Sequence, residues 1–351
     1  MNLEEKYMQR CLEIATLGLG NTAPNPMVGS VIVYDNDIIG EGFHQKFGEA
    51  HAEVNAINSV VDKSNLSKAT LYVNLEPCSH YGKTPPCADL IIEYKIPKVV
   101  IGCIDSFSEV SGKGVEKLIN AGIEVVTGVL ERESRELNQR FFTFHEKKRP
   151  YIILKWAQTK DGFIDIIRNK DSAKQPTWIT GDSLKTLVHK WRTEEQSIMV
   201  GTNTALKDNP QLTARKWQGK NPLRIVLDRN LSLTKSLFLF DNETETLVFT
   251  SKESTTIEKT TFVNIDFSKN ILPLVLNELY NRDIQSLIVE GGTHLLQSFI
   301  DFNLWDEARV LIGDKYFANG VKAPILNESL YSTTSYERDE LQFYKNSKLE
   351  L

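Results

Sequence analysis

Apolar and polar positions in the first half of the chain predict short strands separated by helices. Apolar residues recur with helical periodicity over residues 3–19, which predicts an amphipathic helix. The predicted strands cover residues 29–34, 38–42, 70–75, 98–102 and 123–126. The first two are joined by the turn-forming Asp35-Asn36-Asp37 and predict a hairpin. Further helices are predicted from residue 51, over 85–94 and behind Gly112. This alternation predicts an α/β layered sheet with its site at the carboxyl ends of the strands.

The pattern changes where a charged helix predicted over residues 131–144 runs into a basic polar stretch that is closed by Pro150. This change predicts a domain boundary, with domains at 1–147 and 148–351. The next run, 151–157, is apolar except for Lys155, and a lysine in such a strand needs a specific reason or an edge position. Strands follow at 197–201, 223–228 and 286–290, and only short strands are predicted within 241–269.

Composition supports two globular domains. The chain of 351 residues is long for one hydrophobic core, because single cores stop growing near ~250–300 residues. It has 41% hydrophobic and 25% charged residues and a net charge of −5 without a basic run, which argues against nucleic acid as the main partner. Residues 1–20 lack the features of a signal peptide, and no apolar run is long enough for a membrane span. We therefore expect a cytoplasmic protein that binds a small molecule; a homo-oligomer is compatible with the sequence.

Four residues of the first half form a combination typical of a catalytic zinc site. His51 opens a predicted helix, Cys78 follows the strand at 70–75, and Cys87 opens the next helix. One imidazole and two thiolates leave the fourth zinc position to a water, whose pKa the metal lowers to about 7. Glu53 is then available to carry a proton to a leaving amine, which is the chemistry of hydrolytic deamination. Cys11 and Cys103 are predicted to be buried, and the low cysteine content fits a reducing compartment.

The spacing of the two cysteines and three neighbouring segments resemble one family. Eight residues separate Cys78 from Cys87, whereas the general zinc-deaminase signature has two. The segment 77–87, together with Pro24-Asn25-Pro26 and the run 42–53, is similar to the bifunctional deaminase-reductases of riboflavin biosynthesis. The resemblance implies a cytidine-deaminase-like three-layer domain that deaminates a diaminopyrimidinone ribosylamine phosphate. It also implies a dihydrofolate-reductase-like domain that reduces the ribose to a ribityl chain with NADPH.

The same resemblance implies roles for individual side chains. In the first domain the substrate residues are Asn25, His44, His80 and Lys83, beside the zinc ligands His51, Cys78 and Cys87 and the proton carrier Glu53. In the second domain the active-site polar groups are Lys155 and Asp208, and the substrate residues are Arg192, Leu212, Arg215 and Glu290. The cofactor positions are Trp178, Thr204, Asp208, Gly292, Thr293, His294, Leu295, Leu296, Gln297 and Ser298. Free amides behind Gly291-Gly292 can hold a phosphate at a helix N-terminus.

The sequence departs from the family pattern in three places. Lys83 stands where the family usually has arginine, which keeps the charge but loses the bidentate fork. Residues 105–112 lack the usual Asn and Pro residues, and 166–176 lack the Gly-Glu-Ser pattern before Trp178. The cofactor side of the second domain is therefore the part that the resemblance supports least. No residue identifies a 2′-phosphate contact, so the preference for NADPH over NADH comes from the resemblance.

Two other interpretations stay open at the level of sequence. A zinc deaminase acting on a nucleoside or a tRNA base would want basic and aromatic surface near the site, which the acidic net charge disfavours. A structural zinc site in a protein without turnover would need four protein ligands, with His80 as the candidate for the fourth.

Overall fold

The chain folds into two compact units. The computed structural model describes residues 2–79, 85–106, 111–168 and 174–349. The units are Met1–Lys148 and Arg149–Leu351. All five tryptophans lie in the second unit, so tryptophan fluorescence reports on that unit alone. Among the described residues, no helix has both the length and the apolar character needed to cross a bilayer.

A mixed five-stranded sheet forms the centre of the first unit. Its strands are β1 Gly29–Tyr34, β2 Asp37–Phe43, β3 Thr70–Leu75, β4 Lys98–Cys103 and β5 Glu124–Thr127. Their order is β2-β1-β3-β4-β5. Strand β1 is antiparallel to β2 and β3, whereas β3, β4 and β5 are parallel. The hairpin predicted at 29–42 is confirmed.

Helices cover both faces of this sheet. They are α1 Leu3–Ala15, α2 Ala52–Ser59, α3 Cys87–Glu93, α4 Lys113–Asn120, α5 Glu131–Leu137 and α6 Gln139–Lys147, with 3₁₀ turns at Thr16–Gly18 and Lys63–Lys68. Because side chains alternate along a strand, Ile32 packs with α2 and α3 on one face, and Val31 packs with α1 on the other. The first unit therefore has the layered α/β sheet that the pattern predicts and the three layers that the resemblance implies.

The second unit is built on a ten-stranded sheet. Its strands are β6 Tyr151–Thr159, β8 Ser197–Gly201, β9 Leu223–Leu227, β10 Thr246–Thr250, β11 Thr255–Ile257, β12 Thr260–Asn264, β13 Ser286–Glu290, β14 Glu307–Gly313, β16 Leu330–Tyr336 and β17 Asp339–Lys345. A separate pair joins β7 Phe163–Asp165 to β15 Val321–Lys322. The order is β11-β12-β10-β9-β8-β13-β6-β14-β17-β16, parallel from β12 to β14 and antiparallel at both ends.

Two apolar layers enclose this sheet. The helices are α7 Asp182–Glu194, α8 Thr202–Asp208, α9 Ile271–Asn281 and α10 Thr293–Asp301, and 3₁₀ turns lie at Phe238–Phe240 and Ser347–Leu349. Ile152 and Leu154 of β6 pack with α9 and α10, whereas Ile153 packs with α7 on the opposite face. Lys155 therefore lies in a central strand and not at an edge, so its charge needs a partner inside the sheet.

Two predicted helices have different boundaries in the structure. The helix predicted over 3–19 ends as an α-helix at Ala15 and continues as a 3₁₀ turn. The charged helix predicted over 131–144 is wrong as a single helix, because it breaks at Asn138 into α5 and α6. Asn138 leaves the helical register and uses its side chain elsewhere, as described below.

Candidate active sites

The three predicted metal ligands converge in the first unit. His51 is the N-cap of α2, Cys78 follows β3, and Cys87 is the first residue of α3. His51 Nδ1 lies 3.6 Å from Cys78 Sγ and 3.4 Å from Cys87 Sγ. Tetrahedral zinc with its usual bond lengths to nitrogen and sulfur requires about 3.6 Å between such ligand atoms. The donor set and its spacing therefore fit a zinc ion.

Electrostatics in this cluster favour a thiolate. A hydrogen bond with Cys87 lowers the pKa of Cys78 to about 4; burial opposes the shift, and His51 adds to it. The same contact raises the pKa of Cys87. Because thiolates and not thiols bind metals, a proton is already easily lost from one of the two ligands. The backbone N–H of Cys87 also donates to Cys78 Sγ at 3.3 Å, which orients the sulfur.

Glu53 lies against the ligand cluster at the start of α2. Its side chain is buried and interacts with Cys87 and His51. Burial, with a contribution from the negative charge of Cys78, raises the pKa of Glu53 to about 7. A carboxyl group in this position is close enough to exchange protons with a molecule held by the ligands.

Asn25 and His44 form a hydrogen-bonded pair beside the cluster. His44 Nδ1 lies 3.0 Å from the Ala50 carbonyl oxygen, so this nitrogen carries the proton and donates. His44 Nε2 then accepts from the Asn25 amide at 3.1 Å. Burial lowers the pKa of His44 and so favours the neutral ring, and the centroids of the His44 and His51 rings are 5.4 Å apart. His44 thus orients Asn25, while His80 and Lys83 lie outside the described residues.

Two buried amides hold the loop that carries Asn25. Asn138 accepts from the Met27 N–H at 2.8 Å and donates to the Met27 carbonyl at 2.9 Å. Asn74 donates to the same carbonyl at 3.1 Å and accepts from Gly29 N at 2.8 Å. Asn74 is a polar residue in the apolar strand β3, and a buried amide is expected to have a hydrogen-bond partner. No comparable sequence pattern indicates the role of Asn138.

Glu76 anchors the segment behind β4 next to Cys78. Its carboxylate accepts backbone N–H bonds from Asp105, Gly112, Gly114 and Val115 at 2.8–3.2 Å. A Cβ atom on Gly114 would lie 2.1 Å from the Pro77 carbonyl oxygen, so only glycine allows this approach. The altered segment 105–112 is therefore tied at both ends to the residue two places before a metal ligand.

A cavity of about 1180 Å³ lies in the second unit at the carboxyl ends of the parallel strands. Most of the predicted reductase residues line it: Lys155, Trp178, Arg192, Thr204, Asp208, Leu212, Arg215, Glu290, Gly292, Thr293, His294, Leu295 and Ser298. Two do not. Leu296 is fully buried in the core, and Gln297 bonds to Asp301 and to the backbone of Ile325.

A buried charge network crosses the floor of this cavity. Glu290 ends β13 and is the register partner of Lys155 in β6, with 3.6 Å between Lys155 Nζ and Glu290 Oε1. Arg192 Nη2 lies 2.9 Å from Glu290 Oε2, and Arg192 Nη1 donates to the Thr213 carbonyl at 3.1 Å. Burial alone would raise the pKa of Glu290, but Arg192 and Lys155 outweigh it and lower the pKa to about 2. Burial lowers the pKa of Lys155. Glu290 is thus the partner that the buried charge of Lys155 requires in a central strand.

The turn behind β13 places a helix N-terminus at the cavity. Gly291 has φ +142°, a conformation that L side chains rarely adopt, and a Cβ there would lie 3.2 Å from Thr204 Oγ1. Gly292 N donates to Thr204 Oγ1 at 2.9 Å and caps α10. The free amides of the first turn of α10 are suited to an anionic group.

Three further cavity features escaped the sequence-based prediction. His189 is buried in the wall, and burial together with Arg192 and Arg215 lowers its pKa to about 4. Arg168 also lines the cavity and forms an ion pair with Asp208 at 2.9 Å. Lys185 lines the cavity as well, and its Nζ lies 4.5 Å from the ring centroid of Trp178, a predicted cofactor residue that is about half exposed.

Family models match both units. Residues 1–103 match the cytidine and deoxycytidylate deaminase zinc-binding region, and residues 150–329 match the RibD C-terminal domain. The fold and the two sites thus define a zinc deaminase joined to a reductase. The riboflavin biosynthesis protein RibD of Aquifex aeolicus is 42% identical over 91% of this chain and 89% of its own length. The corresponding Escherichia coli protein is 34% identical over 91% and 90%.

Solved structures agree with these matches. The crystal structure of a diaminohydroxyphosphoribosylaminopyrimidine deaminase/5-amino-6-(5-phosphoribosylamino)uracil reductase from Thermotoga maritima superposes with a TM-score of 0.88 at 39% identity, covering 98% of both chains. RibD of Acinetobacter baumannii superposes with a TM-score of 0.87 at 31% identity, with the same coverage. The chain therefore belongs to the RibD family of bifunctional riboflavin biosynthesis enzymes. It is a deaminase and a reductase, and the expected fold classes of both domains are confirmed.

Proposed function

We propose that the first unit deaminates 2,5-diamino-6-(5-phosphoribosylamino)pyrimidin-4-one and that the second reduces 5-amino-6-(5-phosphoribosylamino)uracil with NADPH. The proposed deamination is supported mainly by the convergence of His51, Cys78 and Cys87 beside the buried Glu53. These are the activities named for the Thermotoga maritima protein, and the coverage of both chains supports the transfer.

In the deaminase site His51, Cys78 and Cys87 would hold the zinc ion. Zinc supplies a water that is activated at neutral pH. Glu53 is placed to take one proton from such a water and pass it to the exocyclic nitrogen of the pyrimidine, which would leave as ammonia. The second proton of the water would remain on the adjacent ring nitrogen of the oxo product. Asn25, oriented by His44, pairs with the pyrimidine ring, and by resemblance His80 and Lys83 contact the ribose phosphate.

In the reductase site the cofactor supplies a hydride for C1 of the ribosylamine in its open imine form. Asp208, Trp178 and Thr204 contact NADPH, and the backbone amides of Thr293 and His294 at the start of α10 hold one of its phosphates. Glu290 is charged and accepts hydrogen bonds from sugar hydroxyls, and Lys155 forms an ion pair with it on the cavity floor.

Arg215 is the best candidate to bind the substrate phosphate. Arg192 is already bonded to Glu290, whereas Arg215 has no ion pair among the residues that the structure describes. A cytoplasmic location fits these roles, because all four cysteines are free and two of them have to remain thiolates.

Product mass distinguishes the two reactions. Purified protein is incubated with the diaminopyrimidinone ribosylamine phosphate, first without and then with NADPH. We expect exchange of an amino for an oxo group in both tubes, and a gain of two hydrogens only with NADPH. No change in either tube would contradict the proposed substrate, and deamination alone would confine the proposal to the first unit.

Substitution of Lys155 tests the separation of the two sites. Lys155→Ala or Asp208→Ala should stop NADPH oxidation and leave ammonia release intact. If both activities were lost while the protein stayed folded, the proposed two-site arrangement would be wrong.

A further inference from the structure

Arg168 occupies the segment of the second unit that departs most from the family pattern. Its side chain is only 6% exposed, and it lines the same cavity as Lys155 and Asp208. It comes three residues after Asp165, the last residue of β7. A nearly buried guanidinium is expected to have its donors occupied, because an unpaired buried charge is costly.

The contacts of Arg168 join three separate parts of the chain. Its Nε and Nη2 each lie 3.0 Å from an oxygen of the Asp165 carboxylate. Its Nη2 also donates to Thr177 Oγ1 at 3.2 Å, directly before Trp178. Its Nη1 donates to the Lys207 carbonyl at 2.9 Å in the last turn of α8. These contacts connect β7, the segment around Trp178 and the end of α8.

Asp208 depends on this guanidinium for its charge partner. Arg168 Nη2 lies 2.9 Å from Asp208 Oδ1, and that oxygen accepts no well-oriented hydrogen bond from the described residues. Asp165 is close enough to Asp208 to repel it, and burial raises the pKa of Asp208 while Arg168 opposes the rise. Without Arg168, the carboxylates of Asp165 and Asp208 would face each other at the cavity wall, with only the weaker attraction of Lys207 to offset their repulsion.

We propose that Arg168 is a positioning residue of the reductase site, which fixes Asp208 and the segment before Trp178 in the geometry that binds the nicotinamide cofactor. This inference rests on the proposed function, since Asp208 and Trp178 are assigned to NADPH there. It gives a role to Arg168 within the altered segment 166–176, because its contacts with Thr177 and Asp208 organise a part of the wall for which the family pattern is missing.

Cofactor affinity is the direct test. NADPH is titrated into the full-length protein while tryptophan fluorescence is recorded, since all five tryptophans lie in the second unit and Trp178 lines the cavity. Arg168→Met should raise the Kd for NADPH by about 10- to 100-fold, because charge-assisted contacts are lost. Arg168→Lys should give an intermediate Kd, since lysine keeps the charge but loses the fork. Ammonia release by the first unit should stay within about twofold of the wild-type rate.

Two further variants separate positioning from stability. Arg282→Ala removes an exposed arginine of the same unit, whose ion pair among the described residues is with Glu278, and should leave the Kd for NADPH unchanged. Arg168→Met combined with Asp165→Asn removes the unpaired carboxylate, so it should recover thermal stability while NADPH binding stays weak. Recovery of both would mean that Arg168 is merely structural and would overturn the proposal.

The outcomes for wild type and variant are distinguishable. Wild-type protein that does not bind NADPH would contradict the proposed cofactor, and with it the role given to Arg168. If wild-type protein binds NADPH and the Arg168→Met variant binds it with the same Kd, the positioning role of Arg168 is contradicted but the proposed cofactor is not.

Discussion

The deaminase unit and the reductase unit hold their functional side chains with different kinds of contact. In the first unit, hydrogen bonds to amides and backbone groups do the positioning: Asn138 and Asn74 hold the Met27 loop, His44 orients Asn25, and the Glu76 carboxylate accepts backbone N–H groups. In the second unit, buried ion pairs do it, between Lys155, Arg192 and Glu290 and between Arg168 and Asp208.

This difference has energetic consequences. Neutral hydrogen bonds change little with pH, whereas an ion pair is lost when one partner is neutralised. Removing one member of a buried ion pair leaves an unpaired charge, and removing an amide leaves an unpaired dipole, which costs less. The second site is therefore more sensitive to single substitutions in its supporting contacts than the first.

The largest expected effect comes from the reacting group of the first site. Glu53→Gln keeps the shape of the side chain but cannot accept a proton. We expect ammonia release to fall by roughly 10²- to 10⁴-fold, with unchanged zinc content by elemental analysis. Glu49→Gln, an exposed change shortly before the same helix, is the matched control. Retained deamination in Glu53→Gln would exclude the proton-carrying role.

Glu290→Gln should reveal the sensitivity of the ion-pair network. The substitution leaves Lys155 and Arg192 without a counter-charge, so we expect the free energy of unfolding of the second unit to fall by about 3–5 kcal/mol at pH 7. Urea unfolding followed by tryptophan fluorescence measures this unit alone.

The pH dependence of that loss sharpens the test. The pKa of Glu290 is about 2 in the folded protein, against an ordinary value of 4.5. Its ion pairs therefore stabilise the fold fully above about pH 4.5 and are lost as the pH falls toward about 2. The difference in free energy of unfolding between wild type and Glu290→Gln should therefore decrease as the pH falls from about 4.5 to about 2. A gap that stayed constant would contradict the charge-based account.

A smaller effect is expected from the amide clamp of the first site. Asn138→Ala leaves the Met27 backbone groups unpaired, at a cost of about 1–3 kcal/mol. We expect Asn138→Ala to raise the KM for deamination and to leave NADPH-dependent reduction unchanged. Asn120→Ala, which changes an exposed asparagine of α4, is the control and should alter neither activity. Loss of stability with an unchanged KM would mean that Asn138 does not position the substrate loop.

Local patterns predicted much of the fold and of the metal site. The ligands of the first site follow strand ends and open helices within residues 51–87, so strand alternation and helix signals were enough to place them. Lys155 could also be recognised from the sequence, because a charged residue in an otherwise apolar strand needs a partner. Its partner Glu290 lies on the neighbouring strand of the sheet but far away in sequence.

The features that were missed are those without a local pattern. Asn138 contacts Met27 across 111 positions, and Arg168 lies in a segment for which the resemblance offered no guide. The run Gly292–Ser298 was assigned to the cofactor as a whole, but residues of a helix point in all directions. Leu296 therefore enters the core, while Leu295 and Ser298 line the cavity.

The position of Asn138 also bears on how the protein is made. The Asn25 loop leaves the ribosome early, yet the side chain that clamps Met27 lies near the end of the first unit. Domains generally fold as units during synthesis, at roughly 5–20 residues per second. The loop is therefore without its Asn138 contacts for several seconds of translation. A nascent chain truncated before Asn138 should have the metal ligands, but its Asn25 loop should be held by Asn74 alone.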